Sequence, residues 1–233
     1  MIYLRKFDNH AAYEAAESSL ILPNVSLCVN ENEVHYNPST PPTPTAETRV
    51  VATFNVENTS EPMPLYYCNE YSEKKGIDLF DKIEIDSTDA SISSLDAADG
   101  NYTFNTTGEH TVAYTLKDPT SIASSTFAYC WGVASINIPD NVTSIGDGAL
   151  TDCGGLATCT IGSGVTSIGD SVFFNNASLV SITIEATLPP TLGYGNFMGE
   201  MNIPIIYVPY ESVDAYKAAE GWSNLDYMIQ PIP

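Results

Sequence analysis

Basic side chains are scarce in this sequence. Its 233 residues include 8 lysines and arginines against 29 aspartates and glutamates, which gives a formal net charge of −21 at pH 7. A field of this sign repels nucleic-acid phosphates and the headgroups of anionic membranes. The composition therefore predicts neither nucleic acid nor a membrane as a partner. It favours a well-solvated surface or a cationic or carbohydrate ligand.

Long apolar runs are also absent from the sequence. No stretch approaches the ~20 consecutive apolar residues that span a bilayer. Near the N-terminus, Arg5 and Lys6 are followed by Asp8 and His10, where a signal peptide would need an apolar core. We therefore expect a soluble chain that carries no cleavable leader.

Residue spacings that are typical of metal sites and of catalysis are missing. The three histidines lie in different segments, and no G-x-S-x-G, H-E-x-x-H or P-loop string occurs. Residues 86–89 and 96–100 lack the EF-hand spacing and are interpreted as turns. No C-x-x-C pair occurs among the five cysteines, which are Cys28, Cys68, Cys130, Cys153 and Cys159. The sequence predicts free, buried thiols, no metal, no cofactor and no enzymatic activity.

Residues 1–37 form a small unit in the sequence. Asn9 can cap a short helix, and alternating apolar residues then extend from Val25 to Tyr36 around a turn at residues 30–33. This pattern predicts a β-hairpin. Because an isolated two-stranded unit is only marginally stable in water, we expect the rest of the chain, copies of the module or a larger assembly to cover it.

Two further regions precede the repeats. Residues 38–48 contain four prolines and no large apolar side chain, which predicts a semi-rigid linker and a domain boundary. From residue 49 to residue 118, short alternating segments are separated by turn residues, for example at Val50 to Val56 and at Val112 to Leu116. A small antiparallel β-sandwich, Ig-like in architecture, is the predicted fold of this region.

An internal repeat decides the fold of the C-terminal half. The string V-T-S-I-G-D at residues 142–147 recurs at residues 165–170, which gives a period of 23. The same step relates Ile122 to Ile145 and Ile145 to Ile168. A period of roughly 20–29 is typical of leucine-rich repeats, whose stacked coils share one apolar interior. The sequence predicts a mainly β protein that ends in a short solenoid over residues 119–233, closed by a capping helix.

The repeat motifs resemble the BspA-like leucine-rich repeat family. The resemblance rests on S-I-N-I-P-D-N-V-T-S-I-G at residues 135–146, on S-I-T-I at residues 181–184, and on an ending with Tyr216, Gly221 and Trp222 that is similar to the family's terminal repeat. It covers about residues 119–228. The family occurs in surface adhesins and in proteins of gut anaerobes and their phages, so the resemblance implies binding rather than chemistry.

The N-terminal unit resembles a module of phage-encoded virion proteins from the same habitat. The similar segments are residues 3–7, residues 11–16 and the hairpin. The resemblance implies an anchoring or oligomerisation role for residues 1–37, and the residues proposed for it are Tyr3, Arg5, Phe7, Val25, Leu27 and Tyr36.

Aromatic residues near the turns of the repeats are candidates for a contact surface. They are Tyr129, Trp131, Tyr194 and Phe197, and the alternative is that they pack the core or the cap. Cys130 and Cys153 occupy equivalent places in successive coils, within reach of a disulfide. A buried ladder of free thiols is favoured, because synthesis without export keeps thiols reduced.

Three functions remain open at this level. The first is a non-enzymatic virion protein, a phage fibre or decoration subunit that contacts other virion proteins through residues 1–37 and a protein or glycan ligand through its repeats. By analogy with fibres it would be a homo-oligomer, with a trimer as the expected form. The second is a bacterial BspA-like adhesin at the cell surface. The third is a carbohydrate-active enzyme, which requires a carboxylate pair in a cleft.

Overall fold

The computed structural model describes residues 26–30, 33–37, 49–67, 76–198 and 203–233. The chain divides into two compact units, Met1–Thr45 and Ala46–Pro233, and each is described by itself. The second unit contains both the region predicted as a sandwich and the repeats.

The described residues of the first unit form a two-stranded antiparallel sheet. Strand β1 (Ser26–Asn30) pairs with β2 (Glu33–Asn37), and Leu27 lies opposite Tyr36. The pairing agrees with the predicted hairpin. The predicted helix after Asn9 lies outside the described residues.

One sheet of nine strands extends through the second unit. Its strands are β3 (Val50–Val56), β5 (Phe80–Ile85), β6 (Thr88–Ala90), β8 (Gly108–Leu116), β10 (Val133–Ile138), β12 (Thr158–Ile161), β14 (Ser181–Ile184), β16 (Ile205–Val208) and β17 (Ile229–Pro231). They lie in the order β17-β16-β14-β12-β10-β3-β8-β5-β6. From β10 to β17 the neighbours are parallel, and from β3 to β6 they are antiparallel.

A second, parallel sheet collects the other strand of each repeat. Its strands are β9 (Ser121–Ile122), β11 (Ser144–Ile145), β13 (Ser167–Ile168) and β15 (Thr191–Leu192). Ile145 pairs in register with Ile122 on one side and with Ile168 on the other, so the three isoleucines lie in one row as the period of the sequence predicts. We call the stretch of chain that begins at each of these strands a coil, and number the coils one to four in chain order.

The interior between the two sheets is continuous and apolar. The first three coils bury their isoleucine in the second sheet, and in the first sheet Ile138, Ile161 and Ile184 are at most 1% exposed. Because one coil cannot cover its own apolar face, stacking supplies the burial that stabilises every coil.

The strand pairing does not confirm the predicted Ig-like sandwich. Strand β3 pairs antiparallel with β8 on one edge and with β10 of the first coil on the other, so these strands extend the sheet of the repeats. Among the described residues of this region, only β4 (Met63–Pro64) and β7 (Asn101–Tyr102) pair separately, and two short helices, α1 (Gly76–Leu79) and α2 (Ile92–Ala97), complete it. Alternating apolar residues indicate that one face of a strand is buried, but they do not predict which element covers that face.

One short helix and two 3-10 turns lie near the C-terminal end. Helix α3 (Val213–Ala218) follows a 3-10 turn at Tyr210–Ser212, and a second 3-10 turn covers Trp222–Leu225. Gly221 has a φ of 82°, a conformation that glycine accepts without strain. The buried Trp222 donates from Nε1 to the carbonyl of Pro190 at 2.7 Å. Within the described ranges, no helix is both long enough and apolar enough to cross a membrane.

Candidate binding surface

All four coils have a residue with a left-handed backbone at an early turn, and the first three have another at a later turn. The early positions are Ser125, Gly148, Ser171 and Gly195, with φ of 57°, 61°, 54° and 75°. The late positions are Tyr129, Asp152 and Asn175, with φ of 60°, 56° and 58°. Glycine, asparagine and aspartate tolerate this conformation, whereas a bulky side chain is an outlier there. Tyr129 is therefore the exception among the late positions, because its side chain is bulky and those of Asp152 and Asn175 are small.

Tyr129 combines this strain with exposure. A left-handed backbone costs a residue with a side chain roughly 1–2 kcal/mol. The side chain does not recover this cost by full burial, since 51% of it is exposed. Its ring lies 5.5 Å from that of Tyr67, with the planes tilted by 40°. Strained residues cluster at functional sites, and exposed aromatic residues are typical of contact surfaces.

Trp131 lies beside this corner and lines a groove. Its backbone N–H donates to the carbonyl of Tyr129 at 2.8 Å, and 44% of the side chain is exposed. The groove has a volume of about 540 Å³ and continues over the second coil past Gly154 and Gly155. Gly154 follows Trp131 by one period of the repeat. A Cβ at Gly154 would meet nothing within 4 Å, so the missing side chain leaves the groove open beside the tryptophan.

The end of β3 and the loop after it also line the groove. They contribute Asn55, Glu57, Asn58 and Glu61. The Asn55 N–H donates to the carbonyl of Gly132 at 3.1 Å, which joins the end of β3 to the first coil. The Asn58 Oδ1 accepts from the backbone N–H and the hydroxyl of Ser60, at 3.0 and 2.6 Å, and so folds the loop back.

The groove is acidic. Glu57 and Glu61 are exposed, and among the described residues neither has an ion-pair partner. The nearby repeats cannot compensate this charge, because residues 119–228 contain one basic residue, Lys217, against ten acidic residues. A ligand in the groove would therefore meet an aromatic ring and carboxylates.

The structure does not bring all four predicted aromatic residues together. Tyr129 and Trp131 belong to the first coil, whereas Tyr194 and Phe197 belong to the fourth. Tyr194 is 78% exposed, and its N–H donates to the Asp170 carboxylate at 2.7 Å. The ring of Phe197 stacks on Phe173, with centroids 5.6 Å apart and planes within 7°. A ligand-binding role for these residues stays a prediction.

Of the proposed anchoring residues, Tyr3, Arg5, Phe7 and Val25 lie outside the described residues. Leu27 and Tyr36 are partners in the hairpin. An anchoring role for any of them stays a prediction.

The sequence analysis did not identify Glu57 and Glu61 as residues of the candidate surface. Glu57 and Glu61 lie far before Trp131 in the sequence and outside the repeat, so no period connects them to it. A signal for Tyr129 was present, because aligning the repeats places it in the same column as Asp152 and Asn175. Only the φ values show that this column requires a left-handed backbone.

A longer and shallower groove of about 670 Å³ follows the second sheet. Repeated small residues line much of it, including Ser121, Ser144 and Ser167. None of its lining residues is aromatic, so we place the candidate surface at Trp131 rather than here.

His110 forms an ion pair with Asp86. Its Nδ1 lies 2.6 Å from an Asp86 carboxylate oxygen and its Nε2 lies 2.9 Å from the carbonyl of Thr106. Both ring nitrogens face acceptors, which favours the imidazolium form. The hydrogen bond that His110 donates to the Asp86 carboxylate raises the pKa of His110 and lowers the pKa of Asp86. The pair ties the β5–β6 turn to β8.

The thiols of Cys130, Cys153 and Cys159 are free and buried. Burial raises the pKa of Cys153 to about 12 and raises the pKa values of Cys130 and Cys159 as well. They are therefore protonated core side chains at neutral pH. Within the described residues, no group of three or more histidine, cysteine and acidic side chains could hold a metal ion.

Comparison with known families identifies the repeats. The family described as BspA type leucine-rich repeat region matches residues 100–218 in six copies. The match covers 119 of the 233 residues, just over half of the chain. It begins upstream of the first coil and includes the antiparallel strand β8. No curated protein matches the sequence.

Proposed function

The chain belongs to the BspA-type leucine-rich repeat family, and from this premise we propose that it is a non-enzymatic adhesion protein. Its role is to hold a protein or glycan ligand of a cell or mucosal surface at the first coil. The observation that carries the proposal is Tyr129, an exposed aromatic side chain on a left-handed backbone beside the exposed ring of Trp131. Contact with the Tyr67 ring covers only part of the Tyr129 side chain, since 51% of it is exposed.

The geometry supports binding more than catalysis. The groove beside Trp131 is open, and its two glutamates are exposed. The repeats supply a rigid stack on which the two aromatic side chains are held in fixed positions.

A binding assay with mucin tests the proposal. Biolayer interferometry would compare the full chain with Trp131→Ala and Tyr129→Asn on immobilised gastric mucin, before and after enzymatic deglycosylation. We expect both variants to bind at least tenfold more weakly, while Tyr210→Ala, which removes a side chain that is 81% exposed near the cap, binds as the parent does. Equal binding by all four proteins would contradict the proposal. Survival of binding after deglycosylation would identify a protein rather than a glycan ligand.

The virion role is a separate proposal, because it rests on residues 1–37. In it, these residues attach the protein to other virion proteins of a phage and assemble it into a homo-oligomer, with a trimer expected. Bacterial cell-surface adhesion is the alternative that the family supports. Detection of the protein in purified particles and not in cell envelopes would favour the virion, and the reverse would favour the cell surface. Light scattering of the full chain and of a chain lacking residues 1–48 would test the oligomer.

A further inference from the structure

The groove at Trp131 has the chemistry of a receptor for a positively charged side chain. Two glutamates, Glu57 and Glu61, line it together with the exposed indole of Trp131. A tryptophan face is the strongest of the aromatic acceptors for a cation. From these features we propose that the groove binds an arginine side chain of a basic peptide segment on a protein partner. The inference rests on the proposed function, because it names the ligand of the same surface.

Charge distinguishes this ligand from a neutral glycan. A neutral sugar would have to displace water from Glu57 and Glu61 without neutralising either carboxylate. A guanidinium instead forms paired hydrogen bonds with a carboxylate and stacks on an aromatic ring at the same time. In addition, the net charge of −21 steers cationic partners toward the protein and disfavours anionic ones. Charge complementarity therefore selects a basic segment.

Space in the groove also fits one long side chain. Its volume of about 540 Å³ lies within the range of roughly 300–1,000 Å³ found for ligand pockets. The opening beside Trp131 exists because Gly154 has no side chain, and a Cβ there would meet nothing within 4 Å. The backbone of Gly154 does not lie in the left-handed region, so a larger residue fits the fold while filling the groove.

Titration calorimetry with defined peptides tests the inference on the full-length protein. The probes are an acetylated tetra-arginine amide and its tetra-citrulline analogue, which keeps the shape of the side chain without its charge. We expect the arginine peptide to bind, the citrulline peptide not to bind, and the affinity to fall several-fold between about 50 and 200 mM salt. Quenching of indole fluorescence should accompany binding and disappear in Trp131→Phe, because the other tryptophan, Trp222, is buried.

Matched variants distinguish binding in the groove from attraction of the peptide by the net negative charge of the protein. Glu57→Gln with Glu61→Gln should weaken arginine-peptide binding at least tenfold, and Gly154→Leu should weaken it similarly by filling the space. The control is Glu211→Gln with Glu220→Gln, which removes two exposed carboxylates near the cap and changes the net charge equally. We expect less than a twofold effect from the control. Equal losses in the two double variants would overturn the inference, because binding would then follow net charge alone.

The same proteins on mucin separate the two proposals. If Trp131→Ala loses mucin binding while the parent ignores the arginine peptide, the surface is an adhesion site and the cationic ligand is wrong. Selective arginine-peptide binding that Gly154→Leu abolishes supports the inference even if mucin does not bind. Binding of a neutral mucin oligosaccharide that competes with the arginine peptide and survives the Glu57 and Glu61 replacements would also overturn it.

Discussion

A single residue in the first coil shows where folding and binding have different requirements. The second and third coils place Asp152 and Asn175 at the left-handed turn, and the first coil places Tyr129 there. The aspartate and asparagine also contact each other, since the Asn175 Nδ2 donates to the Asp152 Oδ1 at 2.5 Å. Tyr129 takes no part in that hydrogen bond and instead contacts Tyr67.

Replacing Tyr129 by Asn should separate stability from binding. Relief of the left-handed strain offsets the lost contact with Tyr67, so we expect the free energy of unfolding to change by less than about 1 kcal/mol. Urea denaturation followed by circular dichroism measures this change. A loss of more than about 2 kcal/mol would show that Tyr129 is a packing residue, and its role in binding would lose support.

The three buried thiols should be inert in the folded protein. At pH 8 the pKa of Cys153, about 12, leaves very little thiolate, and burial also blocks access to Cys130 and Cys159. Alkylation followed by peptide mass spectrometry should find these three cysteines unlabelled in the native protein and labelled after denaturation. Rapid native labelling, or a disulfide between Cys130 and Cys153, would contradict this prediction.

At the scale of elements, the β5–β6 turn depends on an ion pair with β8. Asp86 and Ser87 both have positive φ values, of 48° and 66°, and Asp86 also accepts the Thr111 N–H at 2.9 Å. Because the pKa of His110 is raised from its ordinary 6.5, the pair contributes stability below pH 6.5 that is lost as pH rises through the folded-state pKa. Because the pKa of Asp86 is lowered from 3.8, its contribution is lost as pH falls through the folded-state value.

The pair should therefore stabilise the fold most between about pH 4 and pH 6.5. Asp86→Asn keeps a residue that tolerates the left-handed turn but removes the charge. Since Asp86 is half exposed, we expect the parent to lose only about 1 kcal/mol more than this variant between about pH 6 and pH 8.5. Urea midpoints at several pH values measure the difference. Parallel curves for the two proteins would contradict the ion pair.

Replacement by alanine should affect stability differently at two glycines of the second coil. A Cβ at Gly146 would lie 2.5 Å from the backbone nitrogen of Ser124 in the coil before it, whereas a Cβ at Gly154 meets nothing within 4 Å. We expect Gly146→Ala to destabilise the protein by about 1–3 kcal/mol through overpacking and Gly154→Ala to change stability by less than about 0.5 kcal/mol. Thermal unfolding of both variants provides the comparison. Equal effects would show that the coils do not approach as closely as described.

At the scale of the whole molecule, β3 joins the antiparallel strands to the repeats. Its inward side chains, including Phe54, are buried, and its two edges pair with β8 and β10. Residues 46–233 accordingly form one compact unit. The antiparallel strands cover the first coil as α3 and Trp222 cover the last, and such capping is what a stack of repeats requires.

Phe54→Ala should destabilise both parts together. Removing a fully buried phenylalanine costs about 3–5 kcal/mol, and the cost should appear on both sides of β3. Hydrogen exchange followed by mass spectrometry should show faster exchange in β8 and in β12 of the variant. Faster exchange confined to residues 49–116 would show that the antiparallel strands unfold independently.

The sequence by itself determined the repeats and the cap. Apolar side chains that return once in every period must share one interior, so the row of Ile122, Ile145 and Ile168 follows from periodicity alone. Gly221 and Trp222 likewise mark the end of the stack by local conformation and by size.

Only the tertiary structure decided how the strands before the repeats pair and where the groove lies. Alternation over residues 50–56 shows a buried face, but the hydrogen bonds between β3 and β10 depend on contacts far apart in sequence. For the same reason Glu57 and Glu61 line the same groove as Trp131 only after the sheet has formed. A periodic pattern predicts how equivalent residues of the repeats stack. The pairing of β3 with β10 joins segments with different sequence patterns, so it depends on tertiary packing and cannot be predicted from the period.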